Sequence, residues 1–121
     1  MWPIEVQLAV VNATMKRMAN ELMPLFESWQ LSPETQNEVL GRLRELETEQ
    51  MENYVKHLED GLGGTAKVKA DNAVDEAVTD FRLETLVGAA HSAELLEARR
   101  EFLSRRSIRG IEAANAKTTK R

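Results

Sequence analysis

Between Ile4 and Trp29 the side chains Ile4, Leu8, Val11, Met15, Met18, Leu22, Leu25 and Trp29 recur in alternating steps of four and three residues. Such a heptad seam keeps one stripe of a helix aimed at a neighbouring helix along its whole length. Nothing in the chain alternates with period two over a useful length, so no strands are expected. The fold class read from the sequence is all-α. It is an antiparallel helical hairpin plus one or two further helices, forming a small bundle expected to be oligomeric.

Punctuation divides the chain. Pro24 has no N–H to donate and its ring crowds the carbonyl four residues earlier, which predicts a kink between Asn20 and Pro24 or a helix end just before Pro24. Leu31-Ser32-Pro33-Glu34 reads as a helix start, with Ser32 as N-cap, Pro33 in the first helical position and Glu34 favourable against the N-terminal dipole. The second helix is predicted to run to about Asp60, burying Val39, Leu43, Leu46, Met51, Tyr54, Val55 and Leu58, and to stop at Gly61, Gly63 and Gly64. The short connection folds it back on the first helix as a hairpin. Thr65 can cap a third helix carrying Val68, Val74, Ala77, Val78, Phe81, Leu83 and Leu86. Gly88 leaves two readings open, one helix running through it or a break there, and the stretch from about Ala89 to Ala116 carries Leu95, Leu96, Phe102, Leu103, Ile108 and Ile111. Residues 1–116 are thus one helical domain and 117–121 a frayed basic tail.

Aromatic residues make up only 5% of the 121 residues, so the core must be built mainly of Leu, Val, Met and Ala. A core that thin is expected to complete its burial against a second copy, which makes a homodimer the expected state. The absence of cysteine excludes disulfides, thiolate metal sites and thiol nucleophiles. The most apolar stretch, Trp2 to Ala13, contains Glu5, Gln7 and Asn12 and falls short of the roughly 18 uninterrupted apolar residues of a membrane span. It also lacks a basic leading segment, so no signal peptide is read there. Charge is uneven: residues 1–96 carry 8 Lys/Arg against 17 Asp/Glu, and residues 97–121 carry 8 against 3. The body is acidic and the tail basic.

Candidate chemistry is sparse. His57 has Asn53 and Asp60 near it on a helix, and His91 has Glu94; one His and one carboxylate fall short of the three or four ligands of a metal site, and both read as solvated polar faces. Glu45, Glu47, Glu49, Glu52 and Glu59 alternate with Arg42, Arg44 and Lys56 and read as an exposed, salt-bridged helix face rather than an acid/base pair. Gly61-Leu62-Gly63-Gly64 has neither the preceding strand nor the Lys-Ser/Thr of a phosphate loop and reads as a turn. No cofactor, metal or catalytic group is expected, and the chain reads as non-enzymatic.

Two surfaces remain. The seam offers Ile4, Leu8, Val11, Met15, Met18, Leu22 and Trp29 as partner-binding residues, with a protein or a second copy as the partner. On the last helix Arg99, Arg106, Arg109, Lys117 and Lys120 share one broad arc, and Arg99, Arg105, Arg106 and Arg109 are the candidate contacts for an anionic partner. The same arginines can instead pair with the acidic body, and that is the preferred reading. Met15, Met18, Met23 and Met51 read as core rather than as an adaptable client groove.

Leu31-Ser32-Pro33-Glu34-Thr35-Gln36, opening a charged helix after Leu25-Phe26-Glu27-Ser28-Trp29, resembles the Leu-Thr-x-x-Gln helix starts of small exported bacterial proteins of the Spy and CpxP periplasmic class. Here Ser32 replaces Thr and the glutamine falls one place late, at Gln36. The resemblance implies a dimeric helical hairpin cradling unfolded or partner chains in the periplasm; without it a cytoplasmic location is expected. The function read from the sequence is a helical protein-binding module, chaperone-like, adaptor or regulatory, acting through apolar helix faces. The alternative is a nucleic-acid-associated accessory protein using the basic C-terminal helix.

Overall fold

Four helices follow one another in a computed structural model that describes residues 3–59, 61 and 66–119, with side chains described for 3–58, 61 and 66–105. They are α1 (Ile4–Ser28), α2 (Pro33–Glu59), α3 (Ala66–Val87) and α4 (Ala89–Thr119), and no strand occurs among the described residues. Each helix packs antiparallel on the next and α4 returns to α1, closing an up-down-up-down bundle in which α2 and α3 share the most extensive interface.

The seam of α1 supplies much of the core. Met15, Met18, Leu22 and Phe26 are buried against Val39, Leu43 and Leu46 of α2, Leu83 of α3, and Leu95, Leu96 and Phe102 of α4. Leu25 and Trp29 are partly buried beside them. Pro24 does not end the helix: α1 runs through it to Ser28. Pro24 and Asn20 are both exposed, so water can serve the Asn20 carbonyl that loses its intrahelical donor, while buried Leu22 and Phe26 hold the flanking turns to the core.

The end of α1 is a Schellman turn, in which Leu31 N–H donates to Phe26 C=O (3.1 Å) and Gln30 N–H to Glu27 C=O (3.1 Å). This turn places Gln30 at φ 55, the left-handed conformation that costs a side chain with a Cβ about 1–2 kcal/mol. Gln30→Gly is therefore expected to stabilise the fold by roughly 0.5–1 kcal/mol once the extra chain entropy of glycine is subtracted, read as an upward shift of the urea midpoint.

At the start of α2 the Ser32 hydroxyl accepts from Thr35 N–H (3.2 Å), the N-cap bond predicted, and Gln36 Nε2 donates to Leu31 C=O (2.9 Å). Gly88 does divide α3 from α4, at φ 88, and Ser92 Oγ donates to Asp80 Oδ1 (2.5 Å) to clasp the tight corner. The backbone of α4 continues helical through 117–119, part of the predicted frayed tail, whereas Gly63, Gly64 and Thr65 lie outside the described residues.

Predicted core assignments are corrected on three helices. On α1, Met23 is 37% exposed, off the inward stripe of Met15, Met18 and Leu22. On α2, Tyr54 and Leu58 are 40% and 43% exposed, because the inward position of that turn is taken by His57. On α3, Val74, Val78 and Phe81 are 63%, 43% and 69% exposed. That helix carries two stripes, and it turns Val68, Thr79 and Leu83 inward with Asn72, Asp75 and Glu76 beside them. The polar inward positions find polar partners, Asn53 of α2 for Asn72 and Asp75 and the arginines Arg99 and Arg100 of α4 for Glu76, which leaves the apolar stripe outside.

Candidate functional site

The bundle interior changes character halfway along. Toward the α1–α2 and α3–α4 turns it is apolar; toward the other end buried Val55 and Val68 share it with polar groups, beginning with Arg99 of α4, which is only 2% exposed. Its Nε donates to Glu47 Oε1 (2.6 Å) and its NH2 nitrogen to Gln50 Oε1 (2.6 Å), both on α2, and Glu76 of α3 lies 3.8 Å away. A guanidinium deprived of water needs such a set of acceptors, and α2 and α3 supply it. Nearer the end Asn53 Nδ2 donates to Asp75 Oδ2 (2.7 Å), and buried His57 sets Nε2 2.9 Å from Asp71 Oδ2.

These contacts revise two sequence readings. His57 is interior, not a solvated face, because it lies on the α2 stripe that carries Val39, Leu43 and Leu46. His91 stacks on Trp29, with ring centroids 3.9 Å apart, where α4 begins beside the end of α1. Glu47, read as exposed, is drawn inward by Arg99. Glu49 sits at the α2–α3 boundary, where burial pushes its carboxyl above the ordinary glutamate range; Asp75, Glu45 and Glu52 add to the effect and Arg82 opposes it. The folded state then holds that proton more tightly than the unfolded chain, so stability falls as pH rises through the raised value. Glu49→Gln removes this penalty. It is expected to be more stable than the parent near neutrality, with the advantage shrinking around pH 4 and below, in urea titrations at the two conditions.

The arginines read as contacts for an anion are engaged within the chain wherever they are described. Arg99 is buried, Arg105 reaches Glu21 of α1 (3.2 Å), and neighbouring Arg100 bridges Glu76 (3.2 Å) and Glu97 (3.1 Å). The side chains of Arg106 and Arg109 lie outside the described residues, as do those of Lys117 and Lys120.

The predicted partner-binding seam is split. Val11, Met15, Met18 and Leu22 are covered by the chain's own helices, and Trp29 is half-buried on His91. Ile4 and Leu8, on the same stripe, remain 69% and 48% exposed. They lie at the polar end, where the interior groups of α2, α3 and α4 pair among themselves. Tyr54 of α2 borders the α1 residues Val10 and Val11, and exposed Leu58 follows one turn further along α2. Val10, Val11, Met51 and Tyr54 line a crevice of about 220 Å³ between the two helices, floored by Thr14, Glu47, Gln50 and Asn72. The sequence periodicity located Ile4 and Leu8 but could not tell covered from open turns; the signal lay in the polar residues at the matching turns of the other helices.

Among the described residues no group of three or more His, Asp or Glu side chains could hold a metal ion, and no helix is long and apolar enough to cross a membrane. No known protein family, curated protein or solved structure matches the chain.

Proposed function

We propose that this chain is a helical protein-binding module that takes an apolar, helix-forming segment of a partner protein at the open end of the α1–α2 hairpin. One observation carries the reading: the apolar stripe of α1 continues in register beyond the core, through Leu8 to Ile4, and both stay exposed, as do Tyr54, which borders α1 at the crevice, and Leu58 one turn beyond it. Two antiparallel helices with uncovered apolar inner edges form a groove, and an amphipathic segment laid in it buries its own stripe in the same step. The crevice beside Met51 and Tyr54 gives one larger side chain of the partner a seat, with Gln50 and Asn72 offering polar contacts beneath it. In a chaperone-like role the segment belongs to an unfolded client; in an adaptor it belongs to one dedicated partner.

The test is a pair of variants, Leu8→Asp and Leu58→Asp. Both positions are exposed, so helicity and unfolding midpoint should stay close to those of the parent. An apolar fluorescent dye such as anilinonaphthalene sulfonate should bind the parent and lose several-fold in signal with either variant. A photo-crosslinker at Tyr54 should capture partner chains that the Leu8→Asp background no longer captures. Unchanged dye binding and capture in both variants would overturn the reading.

A further inference from the structure

The outward face of α3 carries a second heptad stripe: Lys67, Ala70, Val74, Ala77, Phe81 and Glu84 recur in steps of three and four, and every one is exposed. No helix of the bundle lies on it. From the order of side chains along this stripe we infer that α3 packs antiparallel against α3 of a second copy, making an isologous dimer about a two-fold axis between Val74 and Ala77.

The stripe is complementary to its own reverse. Reversal about that axis sets Lys67 opposite the second copy's Glu84, Ala70 opposite its Phe81, and Val74 opposite its Ala77. On the flank Ala73 meets Val78 by the same operation. Each large side chain faces an alanine and each charge faces its opposite, and the two-fold repeats every pairing. A parallel pairing has the contrary result at every level: Lys67 on Lys67, Glu84 on Glu84, Phe81 on Phe81, and alanines facing alanines across a gap. Alanine at alternate seam positions also lets the two helices approach closely, which the adjoining Phe81 needs if its ring is to be covered. This face is on a different helix from the open α1–α2 end, so the dimer and the proposed partner site stand or fall separately.

The experiment is sedimentation equilibrium of the full chain across a dilution series at low salt, with circular dichroism to confirm the fold. The parent should dimerise. Phe81→Lys should raise the dissociation constant by about a hundredfold or more, since the two-fold uses the change twice. Lys67→Glu alone and Glu84→Lys alone should each weaken self-association, by about tenfold, because each sets like charges opposite one another. An equimolar mixture of K67E and E84K should then recover most of the parental association, as both seam ends become complementary again. Leu8→Asp should leave the dimer intact. A parent that stays monomeric into the millimolar range, a dimer indifferent to Phe81→Lys, a mixture that shows no rescue, or a dimer abolished by Leu8→Asp would each overturn the inference.

Discussion

Replacing Arg99 by alanine is expected to cost about 3–5 kcal/mol, a large part of the roughly 5–15 kcal/mol that holds a domain of this size together. The loss does not measure the attraction of the pair. Glu47, itself only 12% exposed, would keep its charge with the guanidinium gone and water unable to replace it fully, and Gln50 would lose its donor. The companion experiment replaces both ends of the closest ion pair and the amide beside it, Arg99→Met with Glu47→Met and Gln50→Met. That triple variant should recover to within about 1 kcal/mol of the parent or exceed it, since apolar groups of similar size remove the desolvation cost along with the contact. Chemical denaturation checks both. A single-variant cost below about 1 kcal/mol would mean that the polar layer is open to water.

The second large effect is expected at Phe26, which is fully buried. Phe26→Ala should destabilise by about 3–5 kcal/mol, the sum of lost apolar transfer and the cavity left in the core. The position carries more than volume: it anchors the turn after Pro24, and its carbonyl closes the Schellman turn with Leu31. Leu8→Ala, eighteen residues earlier and on the seam's open end, should cost under about 0.5 kcal/mol. Comparable values at the two sites would show that the seam is covered uniformly, contrary to the arrangement of the bundle.

That contrast explains how much of the molecule was legible in its sequence. The all-α class, the start of α2 at Ser32-Pro33 and its end just before Gly61 follow from local rules, because caps and glycines act within a turn of themselves, whereas Gly88 alone left three helices and four equally open. Which face of α3 points inward was not legible. Both stripes of that helix have helical spacing, and the inner one is chosen by partners distant in sequence: Glu76 by Arg99 and Arg100, Asn72 and Asp75 by Asn53, Asp71 by His57. A polar stripe that looks solvated in isolation becomes interior when three helices satisfy one another, and the apolar stripe is then displaced outward. The same reasoning accounts for Ile4 and Leu8, whose periodicity was plain and whose lack of cover depended on turns of α2, α3 and α4 that carry charge.

The ordering of the helices along the chain has a further consequence during synthesis. The α1–α2 hairpin can form as soon as both helices have left the ribosome, but Leu95, Leu96 and Phe102, which complete the cover of Leu22 and Phe26, belong to the last helix. At roughly 5–20 residues per second the stretch between the end of α2 and Arg105 takes several seconds to appear. For that interval the core stripe of the nascent hairpin, Met15 to Phe26, is covered by α2 and then α3 but not by α4, so the growing chain is sticky for longer than the finished fold suggests, and the arrival of α4 completes the cover.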